Sequence, residues 1–156
     1  MHFCDPGAPH KESWATGSVE ALRGGVTTVL DMPSTDAPVL DQERVQAKLD
    51  KAASHSVVNY GVWAAASNER IPDINELWDS GAICGTKVFM GDSGGAAAVT
   101  PGVLEDVFRN TKGLLGIHAE DQPTLDAAHA QWKEHPSPVH NDLSLIHISE
   151  PTRRTT

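Results

Sequence analysis

Continuous apolar runs alternate with amphipathic segments along most of the chain. Each apolar run is short and is bounded by Gly, Pro, Asp or Ser, which is typical of parallel strands buried on both faces. The amphipathic segments repeat apolar residues every three or four positions, as helices do. The pattern predicts strands at residues 2–3, 26–32, 57–63, 82–90 and 114–119, and helices at 14–23, 41–54, 71–78, 101–112 and 123–132.

This alternation of strands and helices predicts a parallel sheet covered by helices. The sheet is either an open, doubly wound sheet or a (β/α)8 TIM barrel. No Gly-x-Gly-x-x-Gly turn follows the first strand and no Gly-Lys-Ser/Thr phosphate loop occurs, so the nucleotide-binding form of the open sheet lacks its usual signature. Five β/α units amount to only part of a barrel, which needs about 250 residues.

Composition narrows the class of protein further. The 156 residues are 39% hydrophobic, which suits a globular unit, and the net charge of −9 argues against a nucleic-acid partner. No apolar run is long enough to cross a membrane, so no membrane partner is predicted. The start lacks a basic and apolar leader, and two cysteines make no disulfide framework. These features together predict a cytoplasmic protein.

Lys87 lies inside the apolar run 82–90, where an ammonium ion is costly to bury. One interpretation is structural: the lysine pairs with a carboxylate or extends its charged end to the end of the strand. The other is chemical: its neutral amine captures carbon dioxide and becomes a carbamate, an anion able to bridge two metal ions. The residues around Lys87 leave both interpretations open.

Three further polar residues fall at the ends of predicted strands, namely His2, Asp31 and His118. In a barrel these positions share the C-terminal rim, where catalytic residues gather. Imidazole and carboxylate groups suit zinc and similar divalent ions. Each residue also has a simpler explanation. His2 has no particular role, Asp31 braces the following loop, and His118 is an ordinary strand-end histidine.

Four segments combine into a recognisable pattern. They are His-Phe-Cys-Asp-Pro-Gly at 2–7 with Lys11-Glu12 soon after, Gly-Gly-Val-Thr-Thr-Val-Leu-Asp-Met-Pro at 24–33, Gly-Thr-Lys-Val-Phe-Met at 85–90, and Ile-His-Ala-Glu at 117–120. In this order they resemble the motifs of the cyclic amidohydrolases in the amidohydrolase superfamily: dihydroorotase, allantoinase and dihydropyrimidinase (hydantoinase). The resemblance runs from residue 2 to about residue 143.

The resemblance implies a (β/α)8 barrel of which about the first five β/α units are present. It implies two divalent metal ions, expected to be zinc: His2 binds one, His118 binds the other, and Lys87, carboxylated on its Nζ, bridges both. The family's first metal-binding histidine, its strand-six histidine and its strand-eight aspartate have no counterpart within the chain. Because that aspartate is the family's general acid/base, no catalytic residue is assigned here and the fragment alone is expected to be inactive.

The implied activity is hydrolysis of a ring C–N bond in a small cyclic amide or ureide, in the manner of dihydroorotase. Allantoinase and hydantoinase or dihydropyrimidinase activities are the alternatives, and a non-catalytic barrel that serves as a binding scaffold is an alternative of another class. Cys4 and Ser34 stand where dihydroorotases usually carry the arginine and asparagine that hold the substrate carboxylate. Losing the bidentate guanidinium argues against dihydroorotate itself. Family members commonly form homo-oligomers.

The chain is expected to divide at residue 143. Residues 1–143 form the partial barrel domain. Residues 144–156 fit no sixth β/α unit, and their sequence resembles a translated adapter sequence, so they are expected to be a non-native tail.

Overall fold

The computed structural model describes residues 1–33, 38–68, 71–92 and 98–132, with the backbone alone for 71, 72, 129, 131 and 132. Helices and strands alternate through these ranges, as the sequence predicts. The strands are β1 (Thr28–Asp31), β2 (Asn59–Ala65), β3 (Gly85–Phe89) and β4 (Leu115–His118), and the helices are α1 (Trp14–Arg23), α2 (Gln42–His55), α3 (Ile71–Asp79), α4 (Pro101–Asn110) and α5 (Gln122–Trp132).

The four strands form a parallel sheet in the order β1-β2-β3-β4, curled like part of a (β/α)8 barrel. This confirms the barrel interpretation over the open sheet. The predicted first strand, at residues 2–3, is not a regular strand in the structure, but the backbone of the N-terminal segment lies alongside β1 and is hydrogen-bonded to it. The Met1 nitrogen donates to the Leu30 carbonyl at 2.8 Å, and the Met32 N–H donates to the Met1 carbonyl at 2.9 Å.

Local signals in the sequence place the helix starts correctly. Asp41 caps α2, its side chain accepting from the Arg44 N–H, and Thr100 caps α4 with Pro101 at the first helical position.

The strand predicted at 82–90 is shorter in the structure and begins at Gly85. The cause is the turn that ends α3, in which the Ala82 N–H donates to the Leu77 carbonyl.

The two faces of the sheet differ in what covers them. Val29, Val62 and Val88 alternate toward the helices and join a core with helical residues such as Val45 and Val107. Residues on the opposite face point toward what would be the interior of a barrel. This interior face comprises Leu30, Gly61, Trp63, Ala65, Gly85, Lys87, Phe89, Gly116 and His118, as the pairing register shows.

The N-terminal segment packs on α1 through Phe3. The Phe3 ring is 1% exposed and meets the Trp14 ring edge-on, with centroids 4.8 Å apart. Gly17 in α1 makes room for this ring, because an added Cβ there would lie 2.2 Å from Phe3 Cε1. Phe3 therefore points toward the helical layer.

Among the described helices, none combines the length and apolar character that crossing a membrane requires.

Replacing Gly17 by alanine should destabilise the protein by about 1–3 kcal/mol, because the new methyl group overlaps Phe3. Gly102→Ala in α4 is the matched control. A Cβ at Gly102 meets nothing within 4 Å, so this change should stabilise the helix by about 0.5–1 kcal/mol. Urea unfolding of both variants measures the difference. Equal stabilities for the two variants would contradict the packing described for Phe3.

Candidate metal centre

Lys87 occupies the middle of β3, with a strand paired on each side. Its register partners are Ala65 on β2 and Gly116 on β4, both small. Within the described ranges Lys87 forms no ion pair, and its Nζ lies 5.4 Å from the centroid of the Phe89 ring. Partial burial lowers the pKa of Lys87, which favours the neutral amine. Lys87 thus lies between two small register partners, with the Trp63 ring over Gly116 and the Phe89 ring nearby.

His118 ends β4 and lies opposite Phe89 in the register. The two rings are stacked, with centroids 6.0 Å apart and an angle of 30° between their planes. The Nε2 of His118 is buried and has no hydrogen-bond partner in the part of the chain that the structure describes, although Glu120 Oε1 lies 3.3 Å away. The Phe89 ring thus lies beside both Lys87 and His118.

His2 points to the interior face, because its neighbour Phe3 points toward α1 and side chains alternate along extended backbone. Partial burial lowers the pKa of His2, and the positive charges of the N-terminus, Lys87 and Lys48 lower it further, while Asp31 acts in the opposite direction. Met1 pairs with Asp31 through backbone hydrogen bonds to Leu30 and from Met32, so Met1 shares the helix-facing side of Asp31 and His2 lies on the opposite side. Three residues predicted as metal ligands thus lie on one face.

Asp31 points the other way, toward α2. Its register partner is Val62, which belongs to the helix-facing core. Its Oδ2 lies 2.6 Å from Lys48 Nζ, and both side chains are fully buried. Of the two interpretations of Asp31, ligand or brace, the geometry supports the brace.

Comparison with known proteins identifies the family. No family model matches the chain. It is 36% identical over 131 residues to a dihydroorotase of Halobacterium salinarum, aligning 82% of this chain with 31% of that protein. It is 32% identical over 136 residues to an allantoinase of Streptomyces avermitilis, aligning 82% of this chain with 30% of that protein. The chain belongs to the cyclic amidohydrolases.

A solved structure agrees with this family membership at the level of the fold. An L-hydantoinase (dihydropyrimidinase) from Arthrobacter aurescens superposes with a TM-score of 0.81 at 23% identity, over 92% of this chain and 33% of that one. The chain therefore spans about a third of the length of the relatives it matches.

The two positions predicted to bind substrate differ in what the structure says of them. Cys4 is half-buried, adopts a positive φ of 54°, and its Sγ lies 3.6 Å from the His2 carbonyl oxygen. The cysteine is therefore directly beside a predicted ligand, but it offers no cationic group. Ser34 lies outside the described residues.

The metal ions that the family implies would need ligands from the described residues. No group of three or more His, Cys, Asp or Glu side chains comes together among them. What they do bring to the interior face is two imidazoles and Lys87, and the buried Nε2 of His118, which lies 3.3 Å from Glu120 Oε1, is a nitrogen suited to ligation. A lysine carbamate would add the oxygen ligands that this set lacks. The residues present therefore fit a metal centre only if Lys87 takes part as a carbamate.

Sequence reasoning missed Lys48. The signal was present, because Lys48 lies three residues after Val45 and four before Ala52, so that it shares one face of α2 with these two apolar residues. All three are fully buried in the structure. A lysine on an apolar helix face predicts a buried anionic partner, and here the partner is Asp31.

Proposed function

We propose that the complete protein containing this chain hydrolyses a ring C–N bond in a small cyclic amide or ureide, as a dihydroorotase-like enzyme with two divalent metal ions. The supporting observation is that His2, Lys87 and His118 lie on one face of the sheet, with Lys87 and His118 against the same Phe89 ring. The names of the relatives, dihydroorotase and allantoinase, support the reaction class.

Each residue has a distinct role in this proposal. His2 and His118 would each hold a metal ion through an imidazole nitrogen. Lys87, once carboxylated on Nζ, would supply oxygen ligands to the metal centre, and its position in β3, on the same face as His118, supports this role. Zinc would supply a hydroxide at neutral pH and polarise the ring carbonyl. The general acid/base is proposed to lie outside the 156 residues.

The ring that is opened depends on the substrate-binding positions. Cys4 presents a thiol beside His2, where the resemblance leads us to expect the arginine that holds a substrate carboxylate. This favours a ring without that carboxylate, such as allantoin or a hydantoin, as the second candidate substrate class. The dihydroorotase relatives favour dihydroorotate.

Zinc content and turnover in the complete protein test the proposal together. We expect bound zinc, and hydrolysis of at least one of dihydroorotate, allantoin and hydantoin at neutral pH. Turnover of dihydroorotate well above the other two would show that Cys4 does not weaken carboxylate binding. A complete protein that binds no zinc and opens none of the rings would contradict the proposal and support a non-catalytic scaffold.

The isolated chain should behave differently from the complete protein. Residues 1–143 are proposed to be the partial barrel domain and residues 144–156 a non-native tail, and exposed sheet edges should favour aggregation. We expect the isolated chain to hydrolyse none of the three rings and to bind zinc weakly in equilibrium dialysis. Tight, stoichiometric zinc binding by this chain would contradict that expectation. The complete protein is further proposed to be cytoplasmic, to form homo-oligomers and to bind no nucleic acid.

A further inference from the structure

A buried ion pair joins three segments of the chain next to His2. Lys48 Nζ on α2 lies 2.6 Å from Asp31 Oδ2 and donates to the Met32 carbonyl at 2.6 Å. The other carboxylate oxygen, Asp31 Oδ1, accepts the Phe3 N–H at 2.9 Å. The pair thus connects α2, the end of β1 and the N-terminal segment.

Stability alone does not account for this pair. Removing two charges from water costs several kcal/mol per ion, and a well-packed apolar pair of similar volume is often as stable or more so. Asp31 and Lys48 are both fully buried in a region that also contains apolar side chains such as Val45 and Ala52. What an apolar pair cannot provide is an acceptor for the Phe3 N–H and a donor for the Met32 carbonyl.

The bond from Phe3 to Asp31, together with the backbone bonds between Met1 and the end of β1, holds the chain on both sides of His2. Met1 is bonded to β1 through its backbone, and Phe3 is bonded through its N–H to Asp31. His2 lies between these two anchors. With Phe3 held toward α1, the His2 side chain has to leave the segment on the opposite side, toward Lys87.

We infer that Asp31 and Lys48 are positioning residues that hold His2 on the interior face. They contact neither of the other two proposed ligands, so they act through the backbone at Phe3 and Met32. The importance of this positioning for metal binding rests on the proposed function. The positioning itself is a property of the chain and can be measured without metal.

Two charge-neutral double variants separate positioning from electrostatics. Asp31→Asn with Lys48→Met keeps an amide oxygen facing the Phe3 N–H, whereas Asp31→Leu with Lys48→Met removes that acceptor. Asp31→Ala with Lys48→Met removes it without adding volume and replaces the leucine variant if that one fails to fold. The readouts are ¹³C relaxation of the His2 ring in the metal-free complete protein, assigned with His2→Gln, and zinc affinity by chelator competition.

We expect the leucine or alanine variant to show a mobile His2 ring and a zinc affinity about 10–100-fold weaker, as for other residues that orient a metal ligand. The asparagine variant should retain an ordered ring. An ordered His2 ring in the variants without the acceptor would overturn the inference. Absence of zinc binding in the unaltered protein would contradict the proposed function, and the ring relaxation would still decide the positioning.

Discussion

Lys87→Ala in the complete protein is expected to lower kcat/KM by on the order of 10³-fold, because charge stabilisation worth several kcal/mol is lost with the bridged metal pair. Metal content, measured by elemental analysis, should fall below that of the unaltered protein. Thermal stability should change little, since within the described ranges Lys87 forms no ion pair, and the change leaves Ala65 and Gly116 in place.

Lys112→Ala is the matched control for this experiment. Lys112 pairs with Asp79 at 2.6 Å on the surface, where both side chains are 56% exposed, and exposed pairs contribute little. Its removal should change neither metal content nor rate. Normal metal content and normal rate in Lys87→Ala would refute the carbamate assignment, and loss of folding in that variant would show that Lys87 has a structural role instead.

Lys48→Met is expected to destabilise the protein by about 3–5 kcal/mol, because it leaves the Asp31 carboxylate buried without its partner. The Met32 carbonyl also loses its donor. Urea unfolding gives the free energy of unfolding directly. Adding Asp31→Leu to this variant should recover much of the loss, since the second change removes the uncompensated charge.

Lys112→Met provides the comparison for a solvent-exposed lysine, and it should cost no more than about 1 kcal/mol. The contrast between the two lysines isolates the effect of burial, because the substitution is the same. If Lys48→Met were as stable as Lys112→Met, then Lys48 would be reaching solvent and the buried pair described here would be incorrect.

The sequence predicts the order of elements well because the signals are local. Asp41 and Thr100 mark helix starts through hydrogen bonds to residues three positions further on. The alternation of apolar runs and amphipathic segments likewise needs no knowledge of distant contacts. Strand starts are less predictable: residues 82–84 look like strand, but Ala82 is already bonded within the turn that ends α3.

The candidate site is only partly predictable for the same reason. Placing Lys87 within a strand and His2 and His118 at strand ends follows from the apolar runs, but the face that Lys87 and His118 occupy depends on the register between strands. Asp31 shows the difficulty, since it ends a strand as His118 does and yet points toward α2. Its partner Lys48 lies in another layer of the fold. The local sequence around either residue does not identify the other as its ion-pair partner.

Trp63 gives the interior face an optical probe. Its ring lies over Gly85 and Gly116, so close that an added Cβ would lie 2.6 Å from the ring at Gly85 and 3.0 Å at Gly116. Gly116 is the register partner of Lys87, and the indole is only 7% exposed. The proposed carboxylation of Lys87 would replace a cation by an anion beside this chromophore. The change in tryptophan emission on adding bicarbonate, compared between the unaltered protein and Trp63→Phe, would therefore follow carbamate formation in real time, without label or substrate.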